Sequence, residues 1–466
     1  MQLIGPAFLF LFLPLSMPVI FVIPSAHRRL ALSFVSMLWY VLANLNNLTG
    51  LAHVALLVFF SVLMAYLPMP RSVRMAKLRT VIWVAIPLLS LLAARLALEY
   101  GNGSYTYPTG LLFVTLSSLS FAVDWARGDT LRPHSPLELI GYLLFFPVLT
   151  VGPILRSKQY FDRTEQIRFS PDCFCFGVRR YMLGYIKRLA VAAIFLRAMS
   201  ELMLYANEDV PLLSFLIVLI FSFLGFYFAI SGTTDLAVGV CAMYGIAIPH
   251  DRARLSRATT PDRVIYGLLP SLHSYISDYL ITPLLGHTSK KGGRLCAALL
   301  FFVATVLAWR TRPEMLLFAL PLLVFALLER LPRVRRLFCT GALPLRLFRV
   351  VLAVLLCTPF TLALTLQDPS TVWALTVSAF RVGEYPFYAV FSVLRDTRYL
   401  MLLLVALLLL WPYGYFCIWL RRHGSARQKN LVLIGETTLL FVGFLATLIY
   451  FAPQFPLYAS SGLYYM

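Results

Sequence analysis

The sequence predicts an all-α, polytopic integral membrane protein, and three observations carry that expectation. Of 466 residues, 60% are hydrophobic and only 13% charged, and the mean hydropathy is +0.80. Apolar runs of spanning length recur along the chain, and a bilayer core takes about 20 apolar residues per helix. The net charge of +20 sits in short basic clusters between those runs, as expected of cytoplasmic loops. The same placement argues against a nucleic-acid-binding face.

The expected spans, in order, are 3–23, 30–45, 51–67, 80–98, 110–123, 189–205, 210–230, 295–309, 315–328, 350–366, 400–418 and 431–451. The first has no basic residue ahead of it and no small-residue cleavage pattern after Ile23, where Pro24 and His27-Arg28-Arg29 follow. It is therefore expected to be a retained helix and not a signal peptide. Two further apolar stretches, 137–155 and 265–286, are interrupted by Pro and Gly and are expected to be re-entrant. Prolines free backbone carbonyls, which in hydrocarbon must be satisfied by protein or by a wet cavity.

Topology follows from the basic clusters at His27-Arg28-Arg29, 71–79, Arg156 with Lys158, 179–188, 252–263, 290–294, 330–349 and 421–429. Placing all of them inside puts both termini outside, together with 46–50, 99–109, 206–209, 310–313 and 367–398, segments poor in positive charge. The even number of spans agrees with two ends on one side. No linker, low-complexity tract or repeat divides the chain, so residues 1–466 are expected to form one integral-membrane domain. The seven cysteines read as free thiols, and Cys173 and Cys175, with no second pair nearby, do not suit zinc. No metal and no resident cofactor is expected.

The most informative stretch is Phe226 to Gly239, which places Ser231, Gly232, Thr233, Thr234, Asp235 and Gly239 at the end of a span. An aspartate near the centre of a spanning helix costs about 2.5 to 3.5 kcal/mol on insertion scales, so Asp235 is expected to face a polar funnel or a partner. Three ordered elements now carry a resemblance. Tyr227 to Gly239 matches, in frame, a Tyr-Phe-Asp-Phe-Ser-Gly-Tyr-Ser-Asp-Met-Ala-Ile-Gly motif, followed by the turn Tyr244 to Pro249. Phe145-Phe146-Pro147 with Gly152-Pro153-Ile154, and Ser277-Asp278-Tyr279-Leu280 with Pro283, Leu284 and Gly286, match two others. The chain resembles the membrane-bound O-acyltransferase family, in the bacterial branch that holds alginate O-acetyltransferase and the teichoic-acid D-alanyl transfer protein.

The resemblance implies a helical barrel around a central channel in the bacterial inner membrane. An acyl donor, acyl-CoA or an acyl carrier, would enter from the cytoplasm, and an envelope polysaccharide or its carrier would supply a hydroxyl from the other side. It also implies partner proteins of a polymer synthesis or modification complex, contact with membrane lipids and no nucleic acid. A histidine at mid-channel would take the proton of the attacking hydroxyl, which a neutral imidazole can do near pH 7. Ser231, Thr234, Asp235, Tyr279 and Trp309 would line the channel.

The sequence departs from the pattern at that histidine. Leu307 to Thr311 falls on the family's Leu-Trp-His-Gly element, so Arg310 follows Trp309 where the histidine should stand. Arginine stays protonated and cannot act as a base. A second family histidine, ahead of Asp278, is Leu269 here, while His273 stands five residues before Asp278, about 1.4 helical turns away. His273 is thus either a relocated base or a structural histidine. Asp278 is expected to be catalytic together with His273, and Asp235 to line the channel; alternatively both hold helix packing by bonding to backbone or to Arg310. The motif's first aspartate is Ala229 and its tyrosine is Thr233. The carboxyl-terminal Pro456 to Met466 resembles the short aromatic tail of this branch or serves as an interfacial anchor.

Two functional readings follow: an acyltransferase with a non-standard base, and a catalytically silent relative acting as partner subunit, scaffold or conduit. A transporter is disfavoured, because the sequence shows no inverted repeat. No Gly-x-Ser-x-Gly elbow marks a nucleophile.

Overall fold

The computed structural model describes residues 3–68, 70–100, 105–130, 133, 135–150, 152–204, 212–248, 264, 267, 270–281, 324, 343–366, 369–379 and 425–450. All regular structure among them is helical. The helices are α1 (Leu13–Val22), α2 (Arg28–Ala43), α3 (Leu48–Tyr66), α4 (Val73–Tyr100), α5 (Leu111–Arg127), α6 (Pro136–Leu143), α7 (Ser157–Thr164), α8 (Pro171–Tyr185), α9 (Ala193–Leu204), α10 (Leu212–Met243), α11 (Pro270–Ile276), α12 (Leu343–Leu366), α13 (Pro369–Ala379) and α14 (Ala426–Tyr450). Wide π-helical turns enter α1 at Phe8–Phe12, join α8 to α9 at Ile186–Ala192 and extend α11 at Ser277–Ile281. Segments of α3, α4, α10 and α14 are long and apolar enough to cross a membrane. The protein is an all-α polytopic membrane protein. The expected spans 295–309 and 400–418, and 315–328 apart from Val324, lie outside the described residues.

Contacts divide the chain into two units, one within Met1–Tyr181 and Thr233–His250, the other within Met182–Gly232 and Asp251–Tyr464. The core of the first is aromatic. Phe146 packs its ring 6.2 Å from Phe8, 5.6 Å from Phe12, 5.9 Å from Trp39 and 5.7 Å from Tyr244. The Phe-Phe-Pro element thereby ties the entry to α1, the middle of α2 and the end of α10 together. Between helices in lipid the driving force is van der Waals fit and not exclusion of water, and interlocked rings supply that fit. α6 closes on α2 at a glycine, since a Cβ on Gly141 would fall 2.5 Å from Ser33 Cβ.

The interrupted stretch 137–155 is the short helix α6 followed by turns, and Leu143, Leu144, Phe145, Phe146, Val148 and Leu149 are all buried. Its irregular backbone is enclosed by protein, as such backbone at membrane depth must be. Side chains pin it. Tyr142 Oη donates to the Leu155 carbonyl at 3.1 Å, Ser157 Oγ donates to Asp124 Oδ2 at 2.8 Å, and Arg29 pairs with Glu138 at 3.6 Å.

α10 is longer than the expected span 210–230 and runs unbroken through the motif to Met243. It stops at Gly245, which takes φ +74°. There the Gly245 and Ile246 amides donate to the Ala242 and Cys241 carbonyls, a Schellman ending that needs the left-handed conformation glycine tolerates. The described part of the expected turn, Tyr244 to Ile248, is therefore the helix stop, and Arg163 donates to the Ala247 carbonyl within it.

In the second unit, Phe195 of α9 packs against α10 at Phe221 and Phe228, with centroids 5.4 and 6.4 Å away. α14 approaches the π turn between α8 and α9, with Phe444 4.9 Å from Tyr185. The basic cluster 179–188, expected in a loop, is helical throughout. Its cations are carried along a helix whose neighbours supply partners for at least two of them.

Candidate functional site

Two glycines on each of α8 and α10 stand seven residues apart, Gly177 and Gly184 on one helix, Gly232 and Gly239 on the other. Seven residues is close to two helical turns, so each pair lies on one stripe. In the first unit a Cβ on Gly239 would come 2.7 Å from the Tyr181 amide nitrogen and 2.8 Å from the Gly177 carbonyl oxygen. In the second unit a Cβ on Gly232 would come 2.9 Å from the Gly184 carbonyl oxygen and the Arg188 amide nitrogen. Small residues let the backbones meet, as helix contacts in lipid favour.

Polar groups occupy the same contacts. In the first unit Arg180 Nη2 pairs with Asp235 Oδ1 at 2.9 Å, and Asp235 is buried at 3% exposure. Asp235 therefore has a partner from α8, Arg180, where the sequence pointed to backbone or Arg310. In the second unit Lys187 Nζ donates to Ser231 Oγ at 3.1 Å. Lys187 sits on the π turn Ile186–Ala192, next to buried Arg188. π turns of this kind recur at functional sites, and Asp235, inside the span Ser214–Met243, is an ionisable group costly enough there to mark function by default.

The remaining expected site residues fall as follows. Thr234 and Ser231 are half-buried on α10. Asp278 and Tyr279 are half-buried on the π turn after α11, with the Tyr279 ring 4.6 Å from Tyr275. His273 lies on α11, one continuous helical stretch with Asp278, and its side chain is outside the described residues. Trp309, Arg310 and the tail 456–466 lie outside them entirely. Asp235 and Asp278 belong to different units.

Arg180 and Lys187 were not singled out from the sequence, because a basic cluster between apolar runs reads as topology. The signal that could have found them is the paired seven-residue glycine spacing, which brackets Arg180 between Gly177 and Gly184. A third polar cluster lies where α3, α4 and the loop 105–110 meet. His53 bonds Tyr105 Oη at 2.7 Å and Ser90 Oγ at 2.6 Å, beside a recess of about 240 Å³ lined by Leu56, Leu57, Phe60 and Ile86. The Arg95 guanidinium caps the Tyr107 ring 4.3 Å from its centre.

These elements define an all-helical membrane protein with polar pairs held inside a close helix contact. The family model of the membrane-bound O-acyltransferases matches residues 21–275, more than half the chain and all of α2 to α10. The chain belongs to the membrane-bound O-acyltransferase family. Among relatives, it is 28% identical over 182 residues to the probable alginate O-acetylase AlgI of Pseudomonas aeruginosa, covering 39% of this chain and 34% of that one. To the protein of the same name from Pseudomonas fluorescens it is 25% identical over 283 residues, covering 60% and 56%. The chain thus matches about a third to just over half the length of these relatives. Asp278, Trp309 and Arg310 lie beyond the residues that the family model matches.

Proposed function

We propose that this chain transfers an acyl group, acetyl in the simplest case, to hydroxyls of an extracytoplasmic cell-envelope polysaccharide. The observation that supports it most is the family match over 21–275, which takes in Ser231, Thr234 and Asp235 on a helix with cationic partners. In this reading residues 1–466 act as one membrane domain of the bacterial inner membrane, a barrel with both termini outside. An acyl-CoA or acyl carrier is the donor, and the polymer or its carrier is the acceptor, within a synthesis or modification complex. Ser231, Thr234, Asp235, Tyr279 and Trp309 line the channel, while His273 and Asp278 are the candidate catalytic residues beside Arg310 at the family histidine position.

The second reading is a silent relative serving as partner, scaffold or conduit, and the placement of Arg310 on the family's histidine favours it. The experiment measures acetyl ester on the envelope polymer from cells carrying the native chain, a chain deletion, His273→Ala, Arg310→Ala or Arg310→His. Loss of ester with the deletion while polymer output holds supports transfer. Ester unchanged by every substitution, with polymer output lost on deletion, selects the silent partner. If His273→Ala abolishes ester and Arg310→Ala does not, His273 is the base.

A further inference from the structure

A transferase whose family histidine position reads as arginine needs another proton acceptor, and the geometry points to Lys187 and Ser231 as a serine–lysine dyad that carries the acyl group covalently. This inference rests on the transfer reading above. Lys187 Nζ and Ser231 Oγ are 3.1 Å apart within one unit, inside the distance over which a base takes a proton from a hydroxyl. Ser231 opens the Ser-Gly-Thr-Thr-Asp run deep inside α10, far from either end of the helix. Lys187 is set by the π turn, and the backbone beside it is locked, because Gly232 leaves no room for a side chain against Arg188. Paired serine and lysine perform nucleophilic acyl transfer on unrelated folds. The pattern of the sequence offers no elbow motif because here the pair comes from two helices and not from one turn.

The chemistry closes without an oxidant or reductant. With the amine uncharged, Nζ takes the Ser231 hydroxyl proton as Oγ attacks the carbonyl carbon of an acyl thioester. The Oγ–C bond forms, the C–S bond breaks, and the proton passes from Nζ to the leaving thiolate. An acceptor sugar hydroxyl then gives its proton to Nζ while its oxygen attacks the acyl-serine. The new ester C–O bond forms, the Oγ–C bond breaks, and Oγ regains a proton from Nζ. Buried Arg188, next in sequence to Lys187, brings positive charge to the unit in which the oxyanion develops.

The test uses the full chain in native membranes and two probes, deuterated acetyl-CoA and an alkyl fluorophosphonate, with peptide mass spectrometry as readout. The expected result is a deuteroacetyl group and a phosphonyl adduct on Ser231, both lost in Lys187→Arg, and polymer ester lowered about 100-fold or more by that variant. Lys187→Arg keeps a hydrogen-bond donor to Ser231 but supplies no proton acceptor, so a purely structural contact would tolerate it. Ester formed normally by Lys187→Arg or by Ser231→Ala, or native membranes that make ester with Ser231 unmodified by either probe, would overturn the dyad and leave acyl transfer standing. No ester from the native chain would defeat the transfer reading and the dyad with it. Ser231→Thr, which keeps a hydroxyl on the helix, controls for folding and is expected to retain the melting temperature of the native chain.

Discussion

Arg180 and Asp235 face each other across the contact of α8 and α10, with Nη2 and Oδ1 2.9 Å apart and the carboxylate side chain only 5% exposed. Gly239, four residues beyond Asp235, sits where a Cβ would strike the backbone of Tyr181, and so holds the two helices close enough for the pair to form.

Removing Arg180 leaves the Asp235 carboxylate buried without its guanidinium, whereas removing Asp235 leaves a half-buried guanidinium. Arg180→Ala is expected to destabilise by about 3–5 kcal/mol, and Asp235→Ala by less. The double substitution is expected to cost less than the sum, because no orphaned charge remains. Thermal unfolding in detergent, followed for the singles and the double, reads the coupling. Equal and additive losses would mean that the pair is incidental to the contact.

How much of this was legible in the sequence depends on which physical signal each residue sends. Spans such as α3 and α14 were readable because twenty apolar residues have one use in a lipid environment. The buried Phe145-Phe146-Pro147 turn was readable because proline and glycine interrupt an otherwise apolar run. The continuity of α10 through Gly232 and Gly239 was not, since helix propensity counts glycine as a break, while packing against α8 rewards it. Lys187 was hidden for another reason: a cation two residues ahead of the expected span 189–205 looks like loop charge until its partner on a distant helix is known. Asp235 was legible as a residue needing a partner, but the partner's identity required the fold.

Outside the spans, Tyr105 has a pH signature. Burial, and then the Tyr107 phenol, push Tyr105 from 10.0 up to about 12. The folded state favours the neutral phenol, so the stability it contributes is complete below pH 10 and is lost as pH rises through about 12. Melting temperature measured across that alkaline range should fall more steeply for the native chain than for Tyr105→Phe. Parallel curves would show that the loop contributes nothing through this group. Tyr105→Phe also removes the bond to His53, so a modest loss below pH 10 is expected.

Ser157 Oγ donates to buried Asp124 at the start of α7, just after the irregular stretch that follows α6. Ser157→Ala removes one hydrogen bond from a buried carboxylate, worth about 1.5–3 kcal/mol. Because the bond ties the start of α7 to the end of α5, limited proteolysis should cut near 151–157 faster in the variant. An unchanged digestion pattern with an unchanged melting temperature would show that other contacts alone fix that segment.

Glycine substitutions separate a packed helix contact from an exposed one. A Cβ at Gly239 would lie 2.7–2.8 Å from backbone atoms of α8, which cannot rotate away, so Gly239→Ala must push the helices apart. A Cβ at Gly435 of α14 would meet nothing within 4 Å. Overpacking costs about 1–3 kcal/mol, while an alanine in an open helical position gains up to about 1 kcal/mol from propensity. Gly239→Ala should therefore lower the melting temperature and the yield of folded protein, and Gly435→Ala should raise or preserve both. Widening the contact also stretches the Arg180–Asp235 pair. For that reason, adding Gly239→Ala to a chain that already carries Asp235→Ala should cost less than adding it to the native chain. Equal costs on the two backgrounds would show that the glycine contact and the ion pair act independently.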